Sequence, residues 1–227
     1  MAEFGLNGTE GVRYHKDVQT LDADHPWYRI RDLVPVGSSV LDVGCGSGDL
    51  GRFLVDRAGT VDGIEPNEAR AESARQHLRT VVTGVGGPAV NSELGGPYDV
   101  VIFADVLEHV GYPDETLAWA TSVLSPNGKI VALIPNSANW KFRRQILKGD
   151  WSYSETGYFD RDHLRFFDVR TARQLGERAG LAELDVQFTP GRLPKPLSRS
   201  SKAAAFAAAI RPNLFAGHVL VSWQPIR

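Results

Sequence analysis

The chain has 227 residues, 42% of them hydrophobic, enough apolar side chain to bury the core of one domain without a metal or disulfide staple. A formal net charge of -2 gives no electrostatic case for a long polyanionic partner such as nucleic acid, and the lone cysteine, Cys45, excludes an internal disulfide. The first residues, MAEFGLNGTEG, show neither a basic nor an apolar leader segment, and the run AAAFAAAI at 203–210 is too short to span a bilayer, so a cytoplasmic protein without a membrane span is expected.

In chain order, the first 30 residues, with Tyr14, His15, Trp27 and Tyr28, are expected to include a helix over the carboxyl edge of a sheet. SVLDV (39–43) reads as a strand, followed by glycines and a helix carrying Leu50, Phe53 and Leu54. TVDGIE (60–65) is the next strand, and 67–79 is a helix opened by Asn67 as N-cap. A third strand covers 80–85. YDVVIFA (98–104) is almost wholly apolar, as a parallel strand buried on both faces must be. A helix over 113–128, ended by Pro126 and Gly128, precedes the strand KIVALIP. Helix TARQLGERAG, strand LAELDVQF and strand HVLVSWQ follow. Alternation of this kind predicts an α/β, Rossmann-like, mostly parallel sheet with helices on both faces. We read 1–227 as one domain, with 1–35 as an N-terminal cap and with 136–170 and 189–216 as inserts. Both inserts follow strands, so both belong over the carboxyl edge, where open α/β sheets bind ligands.

The stretch VLDVGCGSGDLG (40–51) is a strand running into a bare backbone. A dinucleotide fingerprint places glycine or alanine where Asp49 stands, and Asp42 and Asp49 would oppose a pyrophosphate. A cofactor with a positive centre and no phosphate suits the loop better. Glu65, closing the second strand, can accept both hydroxyl protons of a ribose. A ligand-free turn and a nicotinamide enzyme are the competing readings.

The pattern D-x-G-x-G-x-G with an acidic residue ending the next strand resembles the class I S-adenosylmethionine-dependent methyltransferases, over residues 38–135. The resemblance implies a seven-stranded sheet with its last strand antiparallel. It also implies that Gly44, Gly46 and Gly48 approach the cofactor through backbone atoms, that Asp42 orients its methionyl part and that Glu65 holds the ribose. Asp105, where the fourth strand ends, joins this cofactor set.

ADVLEHV (104–110) then stands where such enzymes bring the methyl group to its acceptor. In a helix, Asp105, Glu108 and His109 share one face at i, i+3 and i+4. Three readings stay open. These side chains are polar wall and capping groups; or His109 is a general base; or Asp105, Glu108, His109 and His163 bind one divalent ion. The last follows a similarity to small-RNA 2'-O-methyltransferases and quinone-pathway O-methyltransferases, which carry E-x-x-E-H and a distal histidine. Mg²⁺ is the first candidate, although mixed carboxylate and imidazole ligands suit several ions. Histidine beside carboxylates points to oxygen methylation, because an alcohol needs help to lose its proton.

GYFDRDHLRFF (157–167) is similar to a block of bacterial sugar and polysaccharide O-methyltransferases. That likeness implies a glycoside or oligosaccharide acceptor, with Trp140 and Tyr158 stacking on it and Asp160, Arg161, His163 and Arg165 bonding its hydroxyls. A phenolic or quinone-like small molecule is the alternative acceptor, and a non-catalytic S-adenosylmethionine-binding regulator is the alternative of another class. The alanine-rich run reads as a helix over the pocket or against a second copy in a homodimer.

Overall fold

The structure, a computed structural model, describes residues 21, 22, 24–194 and 200–226. Tyr14 and His15 lie outside the described residues. Seven strands form one sheet in the order β3-β2-β1-β4-β5-β7-β6. They are β1 (Ser39–Val43), β2 (Thr60–Glu65), β3 (Thr80–Thr83), β4 (Tyr98–Ala104), β5 (Leu124–Pro135), β6 (Leu181–Pro190) and β7 (Ala216–Pro225). β7 runs antiparallel to both β5 and β6, and the pairs from β3 across to β5 are parallel. This is the fold class expected from the sequence.

Strand alternation sends side chains to two cores. On one face Val40, Val61, Val100, Ile102 and Val131 meet α1 (Pro26–Leu33), α2 (Asp49–Leu54) and α3 (Glu68–Ala74) through Trp27, Ile30, Leu50, Leu54, Ala71 and Ala74. On the other, Leu41, Val43, Val101 and Phe103 meet Leu117, Trp119 and Ala120 of α4 (Pro113–Thr121) and, after α5 (Trp140–Leu147), Ala172 and Leu175 of α6 (Val169–Arg178). Asp42 alternates onto the face of Val40, beneath the glycine loop.

Several boundaries differ from the sequence reading. α1, expected over the carboxyl edge, packs on the sheet face, because Trp27 and Ile30 stand one turn apart and are buried together. α3 ends at Ala74, short of residue 79. β3 ends at Thr83, and α4 ends at Thr121. Pro126 and Gly128 fall inside β5, where a register shift between Tyr98 and Val100 absorbs them. No helix among the described residues is long and apolar enough to cross a membrane.

The two inserts are joined by asparagine side chains at the end of β5. The Asn136 amide nitrogen reaches the carbonyls of Pro212, Asn213 and Ala216 at 3.0 to 3.3 Å, while Asn139 Nδ2 donates to Ala216 at 2.7 Å. Asn213 Oδ1 in turn accepts the N–H of Val169, so the start of β7 is fixed by three elements. The alanine-rich segment forms α7 (Ser201–Ile210), capped by Ser200 and packed on β6 and β7 through Ala204 and Ala208.

Candidate active site

β1 delivers the chain into the glycine loop at the carboxyl edge of the sheet. Gly44, Gly46 and Gly48 all have positive φ, at 74°, 56° and 84°. A Cβ at Gly44 would stand 2.7 Å from Val106 Cγ2, whereas one at Gly46 would meet no protein atom within 4 Å. Gly46 is thus free of packing constraints on its open side, a cradle that a side chain would fill. Its N–H donates to Glu65 Oε2 at 3.0 Å, and the Asn67 N–H donates to Oε1 at 3.0 Å. Each oxygen of Glu65 keeps acceptor capacity for a ribose hydroxyl. Asp42 is 2% exposed, and its Oδ2 is buried without a hydrogen-bond partner. Burial, and then the charge of Glu65, push its carboxyl up to about 8. These residues fit a cationic nucleoside: a diol-binding carboxylate, an open backbone cradle and a buried acid whose ionisation a nearby cation would favour.

The segment after β4 departs from the helical face expected for it. Asp105 adopts φ 57°, the only non-glycine residue among those described with positive φ, and only Leu107–His109 form a single 3₁₀ turn. Asp105 is not grouped with Glu108 and His109 as a helical face would have it, and its Oδ1 lies 3.4 Å from His218 Nε2. Glu108, His109 and His163 do come together, with one ligand atom of each within 4.8 Å of the others. Glu108 Oε1 is 4.0 Å from Nε2 of both histidines, and both oxygens of Glu108, 2% exposed, are buried without a partner. Burial, followed by the charge of Asp105, holds its carboxyl well above the ordinary range.

Both imidazoles are oriented by backbone. His109 Nδ1 lies 3.0 Å from the Asp162 carbonyl, which can only accept, so Nδ1 carries the proton and Nε2 a lone pair. His163 bonds the Tyr158 backbone, and burial, then His109, lower its pKa, which keeps it neutral. Outer bonds of this kind are what ligating histidines have. The separations of 4.0 Å are too long for hydrogen bonds and short enough for the three groups to share one ion.

The remaining acceptor residues expected from the sequence also make contacts within the protein. Asp160 is 2% exposed and accepts the Asp162 N–H at 2.9 Å, holding the turn before His163. Arg161 pairs with Glu155, and the Arg165 guanidinium donates to the Gly111 carbonyl. Trp140 Nε1 donates to the Arg192 carbonyl at 2.8 Å. Tyr158 is half-buried with its ring edge toward Phe142, which stacks on Phe159 at 4.5 Å. His218 and Thr189 were not anticipated: the Thr189 hydroxyl oxygen accepts the His218 N–H at 3.0 Å and lies 3.3 Å from its Nδ1. The only sequence signal was a histidine opening the last strand.

The fold, and the chemistry of the edge at β1, β2 and β4, fit an enzyme that takes a nucleoside cofactor. A methyltransferase-domain family profile matches residues 22–186, and the chain belongs to that family: it is an S-adenosylmethionine-dependent methyltransferase. Its curated relatives include several named ubiquinone biosynthesis O-methyltransferase, of which two serve as examples. The one from Pseudomonas fluorescens is 27% identical over 174 residues, covering 74% of each chain. The one from Aeromonas salmonicida is 25% identical over 185 residues, covering 78% of each. Among solved structures, an S-adenosylmethionine-dependent methyltransferase from Thermotoga maritima, titled a possible histamine N-methyltransferase, superposes with a TM-score of 0.60 at 20% identity, over 87% of this chain and 86% of that one. Magnesium protoporphyrin IX methyltransferase from Synechocystis with bound S-adenosylhomocysteine gives 0.58 at 16%, over 92% and 83%. These two likenesses concern the fold.

Proposed function

We propose that the chain methylates the hydroxyl of a phenolic or quinone-like small molecule, using one divalent ion held by Glu108, His109 and His163. The observation that carries this is the buried Glu108 carboxyl group, both of whose oxygens lack a partner and whose Oε1 lies 4.0 Å from the Nε2 atoms of both histidines. The names of the curated relatives favour a quinone-like acceptor. The names of the two curated relatives above give no support to the sugar acceptor implied by residues 157–167, and Trp140, expected beside it, uses its Nε1 within the protein. The donor set of one carboxylate and two imidazoles suits Mn²⁺ or Zn²⁺ better than Mg²⁺, which prefers oxygen.

S-adenosylmethionine supplies a methyl group already activated for in-line displacement. A divalent ion at the cluster supplies a Lewis acid that lowers the pKa of a hydroxyl. The protein's own share is placement. Glu65 grips the ribose, the backbone at Gly46 approaches closely, and Asp42 faces the positive end. Glu108, fixed by its carbonyl, and the two histidines, fixed by Asp162 and Tyr158, hold the acceptor side.

The test is transfer of radiolabelled methyl from S-adenosylmethionine to 3,4-dihydroxybenzoate or to methyl mannoside, before and after chelation. We expect the catechol to be methylated, the activity to vanish on chelation and return with Mn²⁺, and Glu108→Gln to lose more than about 100-fold. Transfer that survives exhaustive chelation, or that goes only to the mannoside, overturns the reading.

A further inference from the structure

We propose that His218, together with Asp105, binds a hydroxyl group of the acceptor, as a contact point separate from the Glu108, His109 and His163 cluster. This rests on the reading that the carboxyl edge beside β4 takes a hydroxyl-bearing acceptor.

Asp105 is held in a costly conformation, φ 57° on a non-glycine residue. The surrounding structure holds it there: its N–H donates to the Leu133 carbonyl at 3.0 Å. The carboxylate so aimed has a buried Oδ1 with no hydrogen-bond partner. Leaving such an atom unpaired is unfavourable, so a partner arriving with a ligand would be well received.

The group facing it is prepared from behind. The Thr189 hydroxyl oxygen takes the His218 backbone N–H at 3.0 Å, so its own hydrogen is available to Nδ1 at 3.3 Å. A hydroxyl donating to Nδ1 leaves the ring proton on Nε2, the atom directed at Asp105. Thr189 is 2% exposed and lies opposite His218 in the β6 and β7 ladder, while Pro135 lies opposite it on β5. The carbonyl of Ala216, two residues earlier, is fixed by Asn136 and Asn139. The imidazole is therefore held in place on a rigid element.

Nε2 and Oδ1 stand 3.4 Å apart, outside good hydrogen-bonding distance. An oxygen placed about 2.8 Å from each would accept from Nε2–H and donate its own hydrogen to Oδ1. Only a group that both accepts and donates satisfies the pair: water can do so in the free protein and an alcohol or phenol in its place, whereas an ether cannot. The side chains of His218 and Asp105 are 32% and 33% exposed, so the pair stands at the surface of the edge while Oδ1 itself is turned inward. His218 would thus select hydroxylated acceptors.

The test uses the full chain with ¹⁵N-labelled histidine and bound S-adenosylhomocysteine. 3,4-Dihydroxybenzoate and methyl mannoside are the two hydroxyl sources, and 3,4-dimethoxybenzoate is the matched ether. We expect at least one hydroxyl probe to move the His218 Nε2 resonance while the ether does not. We also expect His218→Leu to raise the dissociation constant for that probe about fivefold to tenfold, with S-adenosylhomocysteine affinity unchanged. His218→Gln, which keeps an N–H donor at the Nε2 position, should restore binding to within about twofold and guards against misfolding of the leucine variant. An equal response to the ether, no response to either hydroxyl probe, or unchanged binding in His218→Leu overturns the proposal. Hydroxyl binding at His218 without methyl transfer would sink the proposed function alone. Metal-dependent catechol methylation that ignores His218→Leu would sink this inference alone.

Discussion

The carbonyl of Glu108 accepts the backbone N–H of Leu164 at 2.8 Å, so the long insert after β5 is tied to the segment after β4 at the cluster itself. The neighbouring N–H of Arg165 reaches the same oxygen at 2.9 Å. His163 is positioned against Glu108 by this clamp, not by any regular element.

Leu164→Pro removes one of the two donors while sacrificing an exposed side chain. We expect Mn²⁺ affinity, read by electron paramagnetic resonance of the free ion, to fall about tenfold or more, as when outer support of a ligand is lost. Cofactor affinity by calorimetry should hardly change. Equal loss of both would mean that the insert supports the whole edge.

Gly46→Ala separates the fold from the cofactor. The added Cβ meets no protein atom, so the cost to stability is the left-handed backbone alone, about 1 to 2 kcal/mol. S-adenosylmethionine binding should weaken by well over tenfold, because the cradle is filled. Calorimetry together with thermal unfolding distinguishes the two effects, and retention of full affinity would place the cofactor elsewhere.

The chain without cofactor or metal should lose stability as pH rises from about 5 to 8. The folded-state pKa of Asp42 is raised to about 8, above its unfolded value, so its contribution is complete below the ordinary carboxylate range and is lost as pH climbs through the folded value. Glu108 is shifted in the same direction. Asp42→Asn should flatten the profile by about 2 to 4 °C in Tm, equivalent to roughly 1 kcal/mol. A profile identical in the variant would mean that Asp42 is ionised in the free protein.

Far from the site, Asp62 on β2 has no exposed side-chain surface and accepts from Arg79 through both oxygens, at 2.8 and 2.6 Å, and from the Tyr98 hydroxyl at 2.7 Å. Arg79→Leu leaves that carboxylate without its cation and should cost about 3 kcal/mol in urea unfolding. Tyr98→Phe should cost about 1 to 2 kcal/mol. An effect of Arg79→Leu below about 0.5 kcal/mol would show that water replaces the guanidinium.

What the sequence made legible was local. A glycine loop demands positive φ at Gly44, Gly46 and Gly48, and an acidic residue closing β2 sits beside it whatever the rest of the chain does. Asp105 was misplaced because helical spacing presumes helical dihedrals, and the left-handed turn after β4 leaves no periodic trace. His218 was invisible for a different reason. Its neighbour Thr189 is 29 residues away, and they meet only because β7 is antiparallel, so that its first residues reach the edge where the other strands finish. At 157–167 the sequence pattern does not separate acceptor-facing side chains from those that bond within the protein, as Asp160 does to the turn before His163, Arg161 to Glu155 and Arg165 to Gly111.

Asn136 gathers the two long connections into one knot at the end of β5, two strands across from β1, which leads into the glycine loop. One side chain thus fastens both inserts to the same end of the sheet, so a change at Asn136 would loosen the two together while leaving the glycine loop's own hydrogen bonds intact.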